Sequence, residues 1–469
     1  MKVEQIYTGC LAEAAYYIES NGEVAIIDPL REVQPYIEKA KANNATIKYV
    51  LETHFHADFV SGHIDLAEKT GATIVYGPNA ETGFDAHVAK DNEILPLGNI
   101  KIKVLHTPGH TMESTSYLLL DENDQPFCVF TGDTLFIGDV GRPDLAIKTN
   151  LTREDLAGHL YDSLHNKIMV LPDDVIIYPG HGAGSACGKN MSKETFSTLG
   201  EQKQNNYALK AENKAAFIKE VTTGLTTPPQ YFPKNAMMNK QGYESIDSVF
   251  NKGLNALSAD EFENIAEETH ALILDTRNQD NYAQAHIPQS INIGIDGQFA
   301  PWVGALITDI KQPILIVCDE GRAEDVITRL ARVGYDNTLG YLDGGIDAWK
   351  AANKETDAVD TISAADLASL VANNNNISIL DVRKPSEYDA EHIVNAENKP
   401  LDYINDWMPN INHNDTYYIH CAGGYRSMTA ASILKARGFH NLVDVTGGFN
   451  AIASTDIPKT AFVCPSTLK

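Results

Sequence analysis

Two chemistries can be read from short stretches of this chain. In the first 200 residues, four fragments set histidine or aspartate beside small or turn-forming residues: "THFHADF" with His54, His56 and Asp58, "TPGHT" with His110, "FTGDTLF" with Asp133 and "YPGHG" with His181. Each follows an apolar, β-like run, which places it on a loop at a strand end, where ligands distant in sequence can converge. Imidazole and carboxylate both bind divalent metals, so clustered fragments of this kind point to a metal centre. The second chemistry is that of a thiol. "HCAGGYRS" sets Cys421 after another apolar run, followed by Ala422, Gly423, Gly424, Tyr425, Arg426, Ser427 and a helical stretch. Such a loop aims backbone N–H groups at its centre, and the helix N-terminus adds partial positive charge. Both stabilise a thiolate and then a bound persulfide anion, which makes Cys421 a nucleophile. Arg426 supports the same anion, and Ser427 helps to cap the helix.

Further residues flank these motifs. "GDVGRPDL" sets Arg142 and Asp144 after Asp133, where the arginine either grips an anionic substrate or pairs with Asp144 to fix the loop. Cys187, in "GHGAGSACGKN", closely follows His181; it either packs as a small residue or serves as a thiol on the substrate side. A related stretch, "LIVCDEGRAEDV", carries Cys318, but Arg322 comes one residue sooner than in the Cys421 stretch, and Asp319 and Glu320 add two carboxylates. Anionic neighbours oppose a persulfide, so Cys318 is expected to be silent.

The elements that must position these groups divide the chain. Up to about residue 200, runs such as "EVAIIDP", "IKYVLETH", "ATIVYG" and "IKVLHTPGH" alternate with helical stretches such as "VQPYIEKAKAN" and "HIDLAEKTG". This alternation predicts an α/β domain with its loops at strand ends. Residues 201–250 open on a helical stretch, "EQKQNNYALKAENKAAFIKEV", and break at "TTPPQYFPKNAMMNKQGY", which reads as a connector draped over the first domain. Beyond it the chain repeats itself: "LILDTRNQDNYAQAHIPQSINI" from Leu272 is matched by "SILDVRKPSEYDAEHIVNAENKP" from Ser378. The expected domains are 1–250 with the metal motifs and the connector, 251–356 with the altered thiol loop, and 357–469 with Cys421.

Composition narrows the function class. A chain of 469 residues is long enough for three ordinary domains. Its formal net charge of −26 argues against a nucleic-acid partner, which needs a basic footprint. No apolar run approaches the roughly 18 residues that cross a bilayer. The start "MKVEQIYTGCLAEAAYYIESNG" has no signal-peptide core. A cytoplasmic protein without a membrane partner is therefore expected. Six cysteines (10, 128, 187, 318, 421 and 464) follow no disulfide-like spacing, which fits a reducing compartment.

The order HxHxD, His, Asp, His over residues 1 to about 200 resembles the metallo-β-lactamase fold. Within it, "THFHADF", "HTPGHT" and "FTGDTLFIGDVGRPDL" look more like persulfide dioxygenases than like glyoxalase II. The resemblance implies an αβ/βα sandwich with Asp28 of "IIDP" as a structural acid. Binuclear hydrolases with a similar motif place a histidine where this chain has Phe59, and losing that imidazole favours a single metal. As in the dioxygenases, the ligands would be His54, His110 and Asp133, a set with open positions that suits one non-haem Fe(II), with zinc as the alternative. His56, Asp58 and His181 would orient ligands or contact substrate, unless they bind a second metal.

The Cys421 stretch, with "LDVRKPSEYDAEHI" before it and "VTGGF" after it, resembles rhodanese sulfurtransferases over residues 360–455, and the preceding copy looks like a degenerate rhodanese domain. Together the resemblances imply a fused persulfide dioxygenase and sulfurtransferase. A low-molecular-weight thiol persulfide would be oxidised with O2 to sulfite, and Cys421 would pass a second sulfane sulfur to sulfite, giving thiosulfate. The role would be sulfide and persulfide detoxification, in a protein expected to form a homo-oligomer. The alternative is a zinc-dependent thioester hydrolase of the glyoxalase II type joined to a sulfurtransferase.

Overall fold

The alternating runs of the first domain become two six-stranded sheets in the computed structural model, which describes residues 1–146, 151–374 and 377–464. The last residues of the third expected domain, 465–469, lie outside the described residues. One sheet takes its strands in chain order: Lys2–Thr8, Glu13–Ser20, Glu23–Ile27, Thr46–Leu51, Thr73–Tyr76 and His87–Val88. The other runs from Ser197–Thr198 through Ile176–Pro179, Pro126–Gly132, Thr115–Leu120 and Ile100–His106 to Ile94–Leu97.

Side chains alternate across a strand, and Glu13–Ser20 shows why its sequence is apolar on both faces. Tyr16 and Ile18 join Val104, Tyr117 and Phe130 of the opposite sheet, while Ala15 and Tyr17 pack with Tyr36, Ile37 and Ala40 of the helix Gln34–Ala42. Outside the second sheet, Val129 and Ile177 meet Ala157 and Leu160 of the helix Arg153–Ser163. The result is an αβ/βα sandwich. The histidine and aspartate residues of all four metal motifs lie beyond the C-terminal ends of strands, after Leu51, His106, Gly132 and Pro179.

The connector differs from the expectation in two ways. The single helical stretch expected from residue 201 is two helices, Leu199–Asn205 and Lys214–Thr222, with side-chain caps from Thr198 and Asn213. Asn206 ends the first of these by turning its buried amide inward, donating to the Asp139 carbonyl at 2.9 Å. The Pro-, Asn- and Gly-rich break holds a further helix, Phe232–Gln241. Pro233 is tolerated because it lies in the first turn, where no amide hydrogen is needed.

The internal repeat becomes two five-stranded sheets with the same strand order. In the first copy that order is Ala256–Leu257, Thr338–Leu342, Ile314–Val317, Leu272–Asp275, Ile291–Asn292; in the second it is Asp360–Ser363, Leu442–Thr446, Tyr417–His420, Ser378–Asp381, Glu397–Asn398. All the pairings are parallel. The chain divides into one unit of Met1–Ile246 with Ala331–Gly334 and a second of Asp247–Leu330 with Tyr335–Lys469. A boundary at residue 250 would cut the helix Ile246–Gly253, so the division falls at the start of that helix. Among the described residues, no helix is long and apolar enough to cross a membrane.

Candidate metal centre and thiol loop

The strand-end loops bring His54, His110 and Asp133 to one buried point. Asp133 Oδ2 lies 3.9 Å from His54 Nε2 and 3.4 Å from His110 Nε2. The other nitrogen of each ring is already engaged. His110 Nδ1 lies 2.9 Å from the Arg142 carbonyl, which can only accept, so Nδ1 carries the proton. Thr53 Oγ1 donates to Asp28 Oδ2 at 2.8 Å and lies 2.9 Å from His54 Nδ1, so that ring also donates through Nδ1. Burial first, and then the neighbouring His56, hold the His54 imidazole well below its ordinary pKa, which keeps it neutral. In its neutral form each ring therefore turns an Nε2 lone pair toward Asp133 Oδ2, which has no hydrogen-bond partner among the described residues. Burial works against the Asp133 charge, yet the imidazole of His181, with Nδ1 2.8 Å from Oδ1, holds its carboxyl below the usual range. Three acceptors facing one another in a buried site call for a cation among them.

His56 turns the other way. Its Nε2 lies 3.0 Å from Asp28 Oδ1 and 3.5 Å from Glu52 Oε2, making a second buried cluster with those carboxylates. Phe59 is fully buried, its ring 4.4 Å from that of His56, and supplies packing where a ligand would supply a donor. Asp58, His181 and Cys187 form a third cluster. His181 spans two carboxylates, with Nδ1 2.8 Å from Asp133 Oδ1 and Nε2 2.7 Å from Asp58 Oδ2. Burial pushes the Cys187 thiol up, and Asp58 and Asp133 push it further. Cys187 is thus a buried, protonated thiol.

Arg142 belongs to the loop. It pairs with Asp144 at 2.7 and 2.8 Å and donates to the carbonyls of Ala186 and Thr226. Its own carbonyl is the acceptor that orients His110.

Two functional neighbours escaped the sequence reading. Glu52 had a signal, since a carboxylate at the end of an apolar strand needs a partner. Asn239 had none, being one amide in an Asn-rich segment. From the connector helix it donates to the His56 and Phe59 carbonyls at 2.8 Å each and accepts from Ser61 N–H at 2.9 Å.

Cys421 lies between the strand Tyr417–His420 and the helix Tyr425–Ala436, buried, with the Gly424 N–H 3.1 Å from its Sγ. Gly424 holds a φ of 107°, which favours glycine at the turn into the helix. Arg426 is not a free cation; Glu387 of the helix Pro385–Ala390 grips it through both terminal guanidinium nitrogens at 2.6 and 2.8 Å. Glu387 is a third residue the sequence reading missed. Ser427 does not cap the helix, because its hydroxyl donates backwards to the Gly424 carbonyl at 3.1 Å. In the first repeat, burial and then the carboxylates of Asp319 and Asp275 push the Cys318 thiol up to about 11. Arg322 there pairs with Asp296 and Asp325.

Known proteins share both parts. Residues 8–181 match the metallo-beta-lactamase superfamily, and residues 258–352 and 363–455 match the rhodanese-like domain. The crystal structure of a metallo-beta-lactamase from Staphylococcus aureus subsp. aureus COL is 34% identical, with a TM-score of 0.64, over 73% of this chain and 98% of that one. The crystal structure of ETHE1 from Myxococcus xanthus is 28% identical, with a TM-score of 0.44, over 51% of this chain and 99% of that one. Hydroxyacylglutathione hydrolase of Dictyostelium discoideum is 33% identical over 186 residues, which is 39% of this chain and 66% of that protein, so the chain spans just under two thirds of that relative's length. The chain belongs to the metallo-beta-lactamase superfamily, and two rhodanese-like domains follow its metal-binding fold.

Proposed function

We propose that this protein is a persulfide dioxygenase joined to a sulfurtransferase. The observation that carries the reading is the turn of His56 toward Asp28 and Glu52, which leaves His54, His110 and Asp133 as a ligand set of two imidazoles and one carboxylate. That donor set suits one non-haem Fe(II), and the unpartnered Asp133 Oδ2 between two ring lone pairs fits a cation. When bound, the iron supplies a centre at which a persulfide sulfur and O2 can react to give sulfite. The chain's own residues do the positioning. The Arg142 carbonyl and Thr53 hydroxyl orient the two imidazoles, and His181 holds the second oxygen of Asp133.

In the last domain, the Cys421 thiolate attacks the outer sulfur of a low-molecular-weight persulfide and expels its thiol, and sulfite then takes that sulfur from the Cys421 persulfide. This makes thiosulfate and returns the free thiol. The Gly424 N–H bonds the sulfur, and Arg426, fixed by Glu387, adds positive charge at the end of the loop.

A second reading is a zinc thioester hydrolase. It draws on the name of the Dictyostelium relative and on the cluster of Asp58, His181 and Cys187, which could hold a second ion beside Asp133. Metal analysis of anaerobically purified protein, joined to O2 uptake on a panel of low-molecular-weight persulfides, separates the two. The proposal expects one iron per chain and O2 consumption with sulfite as product. Two zinc ions per chain, with thioester hydrolysis and no O2 uptake, would establish the other reading.

A further inference from the structure

The Tyr425 side chain leaves the Cys421 loop and enters the other repeat within the second unit. Its hydroxyl donates to the Gly294 carbonyl at 2.7 Å. The ring lies against two glycines that leave it room. A Cβ on Gly294 would meet Tyr425 Cε2 at 3.1 Å, and one on Gly297 would meet the same atom at 2.4 Å, closer than real contacts allow. The same edge is held by Asn292 N–H, which donates to Ser432 Oγ at 2.8 Å.

The segment that receives the ring is braced from the first repeat. Arg322 stands in the first repeat where Arg426 stands in the second, yet it reaches Asp296 at 3.0 Å, and Arg329 donates to the Ile295 carbonyl at 2.7 Å. The charge that serves a thiol loop in one copy serves the seat of Tyr425 in the other. Tyr425 directly follows Gly424, whose N–H lies on the Cys421 sulfur, so a displaced ring moves that donor.

We infer that the first repeat is a positioning element for the second: through Tyr425, seated between Gly294 and Gly297, it holds the Gly424 N–H against Cys421 Sγ. The inference deepens the carrier role proposed for Cys421 and rests on it. A sulfur that loses this donor loses stabilisation of its thiolate, which raises the thiol pKa.

The test follows alkylation of Cys421 by iodoacetamide against pH in the full chain, reading the Cys421 peptide by mass spectrometry so that the other thiols do not contribute. Gly297→Ala and Tyr425→Ala should each raise the midpoint by about one unit, with about a tenfold loss of thiosulfate-to-cyanide sulfur-transfer kcat near neutral pH and little change in KM. Tyr425→Phe keeps the ring in its notch and should keep the alkylation midpoint near that of wild type. The double variant should match Tyr425→Ala alone, because no ring remains to clash. A wild-type midpoint in folded Gly297→Ala, or a double-variant shift equal to the sum of the singles, overturns the inference. If Gly297→Ala does not fold, equal midpoints for wild type, Tyr425→Phe and Tyr425→Ala overturn it equally. A wild-type protein without sulfur transfer would refute the carrier role, while the alkylation profile would still decide whether Tyr425 positions the loop.

Discussion

Cys421 and Cys318 hold equivalent places in the two repeats, and their surroundings separate them. Cys421 receives a backbone N–H, whereas Cys318 faces acidic neighbours and its thiol sits near 11. Cys421→Ser should therefore abolish thiosulfate formation and leave O2 uptake and sulfite release in place; normal thiosulfate yield would refute its role. Cys318→Ser should leave both rates within about twofold of wild type, because a thiol that stays protonated at neutral pH is a poor nucleophile. In the same repeat as Cys421, burial pushes the Asp444 carboxyl up to about 7. The folded state thus binds that proton more tightly than the unfolded chain does. This contribution to stability is fully present below about pH 4 and is lost as pH rises through about 7. Asp444→Asn, neutral throughout, should melt close to wild type near pH 4 and should gain on the order of 4 kcal/mol over it at pH 8. Melting curves at the two values check the sign, and an equal offset at both would exclude Asp444 as the source.

Among the elements, the connector helix Phe232–Gln241 acts directly on the metal loop. The Asn239 amide satisfies two carbonyls and one N–H of the stretch from His56 to Ser61, all of them buried. Asn239→Leu keeps the branched shape and strands those groups, at about 1–3 kcal/mol each. The variant should melt several degrees lower and bind less metal, as read by calorimetry and metal analysis; unchanged values for both would show that the loop holds itself. This helix also marks where the sequence stopped being legible. Strands such as Thr46–Leu51 and Thr73–Tyr76 can be read from local apolar runs, and the internal repeat by itself marks two similar domains. Pro233 was read as a break because a proline that ends one helix and a proline that begins another look alike in isolation. The same limit applies at the site. HxHxD shows that His54 and His56 belong to one loop, but their opposite orientations depend on Asp28, which is 25 residues from Thr53 and meets Thr53 and His56 only in the folded sheet. The grip of Glu387 on Arg426 was hidden for the same reason, since 39 residues separate the partners.

The whole molecule keeps its two chemistries in units with separate cores. Tyr16, Val104 and Phe130 belong to the core of the first unit, while Phe262 with Leu315 and Leu367 with Val445 belong to cores of the second. The proposed metal ligands all lie in the first unit, and the Cys421 loop with its Tyr425 seat lies in the second. Metal binding stabilises only the fold that contains the site, by about 2.7 kcal/mol when free metal exceeds its dissociation constant a hundredfold. Chelation should therefore lower the melting of the first unit and remove persulfide-dependent O2 uptake. Thiosulfate-to-cyanide sulfur transfer by Cys421 should persist within about twofold, because its loop gains nothing from the metal. Adding Fe(II) under anaerobic conditions should restore the O2 uptake and the lost melting temperature together, whereas Zn(II) should restore only the melting temperature. Zinc occupies the same imidazole and carboxylate donors but has no redox chemistry with O2. Loss of sulfur transfer on chelation, recovered with metal, would show that the thiol loop depends on the metal centre.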